Sequence, residues 1–212
     1  MPDFSLEAKA AEAGFIRIAG IDEAGRGPWA GPVVAAAVVF DGDFGRPADW
    51  PDWPDWLAGL DDSKKLNRKK REVLFDVILA GAACGIGRAE VEEIDRLNIL
   101  QASLLAMRRA VEALPAAPDY ALIDGTHAPK LPCRCETVIK GDGRSFSIAA
   151  ASVLAKVSRD EIMAGLAADY PGYGWERNQG YGVPEHRAGL ERLGVSPHHR
   201  KSFKPIINIL GD

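Results

Sequence analysis

The segment IAGIDEAGRGPWAGPVVAAAVVF, Ile18 to Phe40, constrains the fold of this chain more than any other. Two apolar runs, Phe15–Ile21 and Val33–Phe40, are typical of β-strands. The connection between them is short and contains glycine and proline, which predicts an antiparallel pair. Asp22 and Glu23 directly follow the first run, so two carboxylates are expected where a strand ends.

Further along the chain, strand patterns alternate with helix patterns. Apolar spacing predicts helices at Arg68–Leu79 (with Asn67 as its cap), Glu92–Leu114, Ser145–Asp169 and Pro184–Leu193. Short apolar runs predict strands at Ala82–Val91, Tyr120–Ile123 and Thr137–Lys140. This order indicates an α/β protein with a mixed β-sheet flanked by helices. The stretch Asp41–Leu60 has no usable period and is expected to be a loop.

Size and composition favour a single domain of 212 residues with a substantial core. No apolar run approaches the roughly 20 residues of a membrane span, and the acidic start lacks the basic region of a signal peptide. Cys84, Cys133 and Cys135 form neither an even disulfide set nor a complete zinc site. We therefore expect reduced thiols, no membrane partner and a cytoplasmic location. A monomer is expected because no apolar stripe is left unassigned.

The charge pattern permits local but not global binding of nucleic acid. The formal net charge is −4, which argues against a protein held to nucleic acid by overall charge. Two basic segments, Asp61–Arg71 and His198–Lys204, are nevertheless suited to local phosphate contacts. The alternative for the RKKR part of the first segment is a solvated helix face.

Carboxylates recur at positions where a sheet brings strand ends together. Asp124 follows the run Tyr120–Ile123 as Asp22 and Glu23 follow theirs, and ligands of such sheets bind beyond the carboxyl ends of the strands. Asp160 lies on the inward stripe of the helix Ser145–Asp169. It is expected to join the other three acids, although an ion pair with Lys156 at position i−4 is the simpler alternative.

Four crowded carboxylates raise each other's pKa and need a cation to stay ionised. Oxygen ligands without nearby Cys or His favour Mg²⁺ or Mn²⁺ over zinc. Two such ions about 4 Å apart would clamp a phosphorus centre for in-line displacement. The acids therefore predict phosphodiester hydrolysis.

Seven motifs in order give the chain a resemblance to the bacterial ribonuclease HII family, the type 2 ribonucleases H, over nearly its full length. They are GIDEAGRGPWAGPVVAAAV from Gly20, DDSKKLN from Asp61, EIDRLNILQASLLAM from Glu93, LIDG from Leu122, IKGDGRSFSIAAASVLAKVSRD from Ile139, NQGYGVPEHR from Asn178 and HHRKSF from His198. The resemblance implies one domain over residues 1–212. It has an RNase H-like core at about 15–170 and a helical, substrate-binding C-terminal extension at about 171–212.

The resemblance also implies an activity. The expected enzyme hydrolyses the RNA strand of RNA–DNA hybrids and cuts on the 5′ side of single ribonucleotides in duplex DNA. It leaves 3′-hydroxyl and 5′-phosphate ends and serves DNA replication and ribonucleotide excision repair. Asp22, Glu23, Asp124 and Asp160 match the family's metal-binding carboxylates, with Asp22 between both ions.

Substrate-binding residues follow from the same resemblance. Gly25, Arg26 and Gly27 match a GRG loop that reads the ribose 2′-hydroxyl, and Tyr181 matches a tyrosine that packs on the neighbouring deoxyribose. Without the resemblance, a tight turn and a core or rim aromatic are the alternatives. Phosphate contacts are expected from Lys64, Lys65, Asn98, Lys140, Ser145 and Arg200. His198 and His199 are interpreted as surface or phosphate contacts rather than general bases.

Two departures from the family pattern stand out. Val183 replaces the usual Thr after GYG, and the Trp/Pro-rich stretch Asp49–Trp56 is an insertion for which local packing is favoured over stacking on nucleic acid. Three other functions compete with the expected one. They are a ribonuclease HIII, another metal nuclease or integrase of this fold, and a catalytically silent binder of hybrids.

Overall fold

The computed structural model of the protein describes residues 1–41 and 55–211. Its centre is a five-stranded sheet of order β3-β2-β1-β4-β5. The strands are β1 Ile18–Ala24, β2 Val33–Val39, β3 Ala83–Ala89, β4 Tyr120–Asp124 and β5 Arg134–Val138. Strands β1–β3 pair antiparallel, whereas β1–β4 and β4–β5 pair parallel. The expected mixed sheet flanked by helices is confirmed.

The described part of the chain contains eight α-helices. They are α1 Ser5–Glu12, α2 Arg68–Gly81, α3 Val91–Leu97, α4 Ile99–Glu112, α5 Phe146–Asp169, α6 Trp175–Asn178, α7 Pro184–Leu193 and α8 Lys204–Leu210. Short 3₁₀ turns lie at Asp55–Gly59 and Gly141–Gly143. None of the helices in residues 1–41 and 55–211 is long and apolar enough to cross a membrane.

Both faces of the sheet are covered, which explains why β2 is apolar throughout. Ala36 and Val38 of β2 point into a core shared with α5 and α2. Ala35 and Ala37, which alternate with them, point into a second core shared with α4. The glycines of β3 serve this packing, because a Cβ at Gly87 would lie 2.3 Å from the backbone nitrogen of Ala110 in α4.

The predicted helix Glu92–Leu114 is wrong as a single element. Two helices, α3 and α4, meet at Asn98, whose φ of 72° interrupts the helical path. The Asn98 side-chain oxygen then caps α4 by accepting hydrogen bonds from the backbone nitrogens of Leu100 (3.0 Å) and Gln101 (3.2 Å). The apolar stripe continues across the break, so periodicity alone did not reveal it.

Other element boundaries differ less. Strand β1 begins later than predicted and includes Asp22 and Glu23, and β5 lies at Arg134–Val138 rather than Thr137–Lys140. Asn67 caps α2 as expected, by accepting from the Lys70 nitrogen. Residues 49–54 of the Trp/Pro-rich stretch lie outside the described residues. Trp56 lies against Phe40, with ring centroids 6.1 Å apart.

The C-terminal helices attach to the rest of the molecule through a third apolar cluster. Its buried members are Ala30, Met163, Tyr173, Trp175, Leu190 and Ile206. Two of these residues precede position 170 and four follow it, so the extension shares a core with the loop between β1 and β2 and with α5. All three cysteines are free, as predicted.

Candidate active site

A cleft of about 480 Å³ opens where β1 and β4 end. These two strands run parallel, so their carboxyl ends meet at one edge of the sheet and bring Asp22, Glu23 and Asp124 together. The cleft is lined by Asp22, Glu23, Ala24, Gly25, Arg26, Gly27, Ser63, Lys64, Arg71, Asp124, Ser152, Lys156, Arg159 and Tyr181.

Asp22 is the most deeply buried acid of this cleft. Burial raises the pKa of Asp22 well above its ordinary value, and the negative charges of Glu23 and Asp124 raise it further. Glu23 also has a raised pKa because it is buried, but Arg26 opposes the shift through an ion pair of 3.2 Å. The cleft therefore concentrates negative charge that its own side chains only partly neutralise.

Asp142 is a further acid of this region, beyond the four expected from the sequence. It is buried, and burial together with the charges of Asp124 and Asp62 raises its pKa, while Lys64 opposes the shift. The Lys64 Nζ lies 3.4 Å from Asp142 Oδ2. A signal was present, because Asp142 follows strand β5 between two glycines, in the same pattern as the other strand-end acids.

Asp124 is fixed by the turn that carries Asp142. The backbone nitrogen of Gly141 donates a hydrogen bond of 2.7 Å to Asp124 Oδ1. This bond leaves the second carboxylate oxygen, Oδ2, available to a ligand, and it ties the ends of β4 and β5 together.

Asp160 adopts the simpler of the two expected arrangements. The Lys156 Nζ lies 2.7 Å from Asp160 Oδ1, one helical turn apart on α5. Because Lys156 lines the cleft, Asp160 is linked to it through this ion pair. The role of Asp160 as a metal ligand stays a prediction.

The acids supply the kind of ligand atoms that a hard divalent cation prefers, but they are not grouped as a complete metal site. Within residues 1–41 and 55–211, no three His, Cys, Asp or Glu side chains are grouped closely enough to hold a metal ion. The donor set is nonetheless made of carboxylate oxygens, which suit Mg²⁺ or Mn²⁺. Asp22 and Glu23 with Asp124, which line one cleft, are the candidates to hold such an ion.

The loop after β1 is shaped around a buried guanidinium. Gly25 has a φ of +101°, and a Cβ there would lie 2.1 Å from the Nε of Arg159. Arg159 is 1% exposed and donates to three backbone carbonyls, those of Pro32 (3.0 Å), Gln179 (3.0 Å) and Ala30 (3.1 Å). Arg159 could not be singled out from the sequence, because a single Arg in a helix carries no signal of burial.

A second buried guanidinium holds the same loop from the other side. Arg200 donates to the carbonyls of Gly25 (2.6 Å), Arg26 (3.0 Å), Gly31 (2.9 Å) and Pro32 (3.2 Å). Burial and the neighbouring Arg159 charge lower the pKa of Arg200 to about 9. Arg200 is completely buried, so the direct phosphate contact expected of it does not fit its position. It supports the GRG loop instead.

Tyr181 stands at the rim of the cleft beside this loop. Its side chain is 46% exposed, and a Cβ on Gly27 would come within 3.4 Å of its ring. The neighbouring Gly182 packs on the indole of Trp29, where a Cβ would lie 2.0 Å from a ring carbon. Tyr181 is thus an exposed aromatic on a tightly packed base.

The other expected phosphate contacts divide into surface and interior positions. Lys64, Lys65 and Lys140 are exposed and line a neighbouring depression of about 640 Å³, which shares Asp124 and Lys64 with the cleft. Ser145, by contrast, is fully buried, and its hydroxyl donates to Glu7 at 2.6 Å while capping α5. A direct phosphate contact by Ser145 does not fit that position.

The histidines near the C-terminus also differ from expectation. His199 is completely buried and pairs with the ring of His186, so it is not a surface contact. His198 is half-buried, with its ring 4.8 Å from that of Tyr170.

Comparison with known proteins gives a family match over most of the chain. A model described as Ribonuclease HII matches residues 19–206. The chain is 59% identical to a ribonuclease HII of Ruegeria pomeroyi over 210 residues, which cover 99% of this chain and 85% of that protein. It is 55% identical to one of Rhodospirillum rubrum over 208 residues, covering 97% and 90%.

Solved structures agree in fold. A ribonuclease H2 of Pyrococcus horikoshii superposes with a TM-score of 0.74 at 26% identity, covering 91% of this chain and 96% of that one. The ribonuclease HII in a PCNA complex from Archaeoglobus fulgidus gives 0.69 at 25%, covering 89% and 95%. A ribonuclease HIII in complex with Mn²⁺ gives 0.68 at 21%, covering 95% of this chain and 71% of that one, which speaks for the fold alone.

Proposed function

This chain belongs to the ribonuclease HII family and is a nuclease that acts on the RNA of RNA–DNA hybrids, and on that premise we propose its finer specificity. It cuts duplex DNA on the 5′ side of a single embedded ribonucleotide and leaves 3′-hydroxyl and 5′-phosphate ends. It does so with two divalent cations, Mg²⁺ or Mn²⁺, and acts as a monomer in the cytoplasm.

The observation that carries the proposal is that one cleft contains both the acids and the GRG loop with Tyr181. Three acids at the ends of β1 and β4 face the same space as the GRG loop and Tyr181. A phosphodiester at the acids would therefore have its sugar beside the loop, so cleavage and recognition of the ribose can act on adjacent nucleotides.

The carboxylates prepare the cleft for cations. Asp22 is buried beside Glu23 and Asp124, and this uncompensated charge is the kind that a divalent cation relieves. When bound, two such ions supply an activated water and stabilise the leaving 3′-oxygen. Asp22 and Glu23 would hold the cations together with Asp124, and Asp160 would do so after release from Lys156.

Recognition of the 2′-hydroxyl rests on backbone rather than side chains. Arg159 and Arg200 hold the loop through its carbonyl oxygens, so the loop is rigid before substrate arrives. Gly27 has no Cβ to keep a sugar away, and the missing Cβ of Gly25 leaves room for the guanidinium of Arg159 that supports the loop. The exposed ring of Tyr181 then offers a flat apolar surface to the next, deoxyribose residue.

Three labelled duplexes test the proposal: one with a single ribonucleotide, one with a run of ribonucleotides and one of DNA only. Each is incubated with the protein in Mg²⁺, in Mn²⁺ and in chelator. We expect metal-dependent cutting 5′ of the single ribonucleotide and an intact all-DNA duplex. Cutting that needs a run of ribonucleotides would support the HIII-like alternative, and cutting of the all-DNA duplex a general metal nuclease.

Asp22→Asn separates catalysis from binding. We expect it to abolish cleavage and to leave hybrid binding largely intact, because it removes a central metal ligand without changing side-chain size. Asp76→Asn is the matched control, since Asp76 lies exposed on α2 and should keep full activity. Undiminished turnover by Asp22→Asn would exclude the metal assignment.

A further inference from the structure

Two buried histidines beneath Tyr181 take no part in the proposed cleavage. His186 of α7 and His199 are both completely buried, and their Nε2 atoms lie 3.0 Å apart. Trp175 of α6 lies on the same pair, with its Nε1 donating to His186 Nε2 at 3.0 Å. Side chains of this kind need a full set of hydrogen bonds when water is excluded.

The hydrogen bonds fix the tautomer of each ring. The backbone nitrogen of Ser196 donates to His199 Nδ1 at 2.9 Å, so the hydrogen of His199 is on Nε2. His199 Nε2 therefore donates to His186 Nε2, which also accepts from Trp175. This leaves the hydrogen of His186 on Nδ1, which lies 3.0 Å from the carbonyl oxygen of Tyr181 and donates to it.

Both rings are neutral in this arrangement. Burial lowers the pKa of His199 to about 4, assisted by the nearby His186. Burial also lowers the pKa of His186 below its ordinary value. The hydrogen bonds that run from Ser196 through His199 and His186 to Tyr181 are thus all formed by neutral rings.

The backbone around Tyr181 needs such an anchor. Gly180 and Gly182 flank the residue, and Gly180 has a φ of +81°, so the path of the segment depends on the hydrogen bonds that hold its backbone. The Tyr181 nitrogen donates to the carbonyl of Asn178 at 2.9 Å, and the Trp29 nitrogen donates to the carbonyl of Gly180 at 2.8 Å. The Tyr181 ring is half-exposed. Its direction is therefore set by how the backbone is held, and the Tyr181 carbonyl is held by His186 and by the Val183 nitrogen at 2.8 Å.

We propose that His186 is a positioning residue, whose Nδ1–H fixes the carbonyl of Tyr181 and thereby orients the exposed ring at the rim of the cleft. His199 and Trp175 act through His186, because their hydrogen bonds to Nε2 keep its hydrogen on Nδ1. The inference rests on the proposed role of Tyr181 at the junction between ribose and deoxyribose.

Two substitutions of His186 separate positioning from stability. The amide nitrogen of Asn is two bonds from Cβ, like Nδ1, so His186→Asn keeps the donor to Tyr181 but leaves Trp175 and His199 without an acceptor. The amide oxygen of Gln is three bonds from Cβ, like Nε2, so His186→Gln keeps that acceptor but loses the donor to Tyr181. The two variants should therefore rank in opposite order in activity and in stability.

The first measurement is kcat/KM on the duplex with one ribonucleotide, beside urea unfolding of the same proteins. We expect His186→Gln to be the more stable variant and yet to lose about 10- to 100-fold in kcat/KM. His186→Asn should be less stable and retain most of the activity. In a Tyr181→Ala background, His186→Gln should cause no further loss, because it acts through that ring.

The second measurement needs no substrate, so it distinguishes failure of this inference from failure of the proposed function. Tyrosine labelled with ¹³C reports the order of the Tyr181 ring by NMR relaxation, with Tyr181→Phe to assign its signal. We expect the ring to become more mobile in His186→Gln and not in His186→Asn. Equal mobility in all three proteins, or activity that simply follows stability, would overturn the inference.

Discussion

Substitution of Gly25 by Ala tests the packing of the GRG loop most directly. The added Cβ would lie 2.1 Å from Nε and 2.5 Å from Cδ of Arg159, and 2.9 Å from the carbonyl oxygen of Pro32. Arg159 is buried and held by three carbonyls, so it has no free direction in which to yield. The substitution must therefore strain the loop or displace the guanidinium.

Two separate costs add up in this variant. A side chain at a φ of +101° costs about 1–2 kcal/mol. Displacing Arg159 breaks at least its hydrogen bond to Pro32, and a hydrogen bond from a charged group contributes about 1.5–3 kcal/mol. We expect a total loss of about 2.5–5 kcal/mol, a large part of the roughly 5–15 kcal/mol by which domains are stable.

Urea unfolding of Gly25→Ala beside Gly14→Ala separates these costs. Gly14 has a similar φ of +93°, but among the described residues nothing lies within 4 Å of its added Cβ. Gly14→Ala should therefore lose only the backbone part, about 1–2 kcal/mol. The additional loss in Gly25→Ala measures the clash with Arg159, and equal losses in the two variants would refute the described packing.

Three further outcomes are expected. Asp142→Asn should slow cleavage and raise the Mg²⁺ concentration needed for half-maximal rate, because it removes charge beside Asp124; an unchanged metal titration would contradict this. Arg200→Lys should lower stability by about 2–4 kcal/mol in urea unfolding, since one ammonium cannot serve four carbonyls. The pKa of His199 is lowered to about 4 in the folded protein, so its side chain binds a proton more readily in the unfolded chain. Stability should then fall by at most about 3 kcal/mol between about pH 6.5 and 4, and fall less in His199→Gln.

The sheet and its acids were predictable because they depend on local patterns and strand direction. Apolar runs located β1, β2 and β4, and the acids at the ends of parallel strands had to meet at one edge. The grouping of Asp22 and Glu23 with Asp124 needed no knowledge of side-chain packing. Asp142 also follows a parallel strand, β5, so its place near these acids could have been predicted.

Residues whose environment comes from distant parts of the chain could not be predicted. Ser145 is buried by Glu7, which is 138 positions away, and Arg200 by the GRG loop. A serine or an arginine in a basic stretch looks the same in sequence whether it faces water or carbonyl oxygens. Asn98 differs in kind, because its positive φ interrupts a helix whose apolar stripe continues.

The bond between Arg200 and Gly25 also sets an order of events during synthesis. It joins positions 175 residues apart, so the loop it holds leaves the ribosome long before Arg200 does. Helix α1 and strands β1 and β2 can pair early, but the loop between those strands lacks its guanidinium until residue 200 has emerged. A partly made chain therefore carries all three strand-end acids before Arg200 supports the GRG loop, and the proposed recognition of the ribose would be completed last.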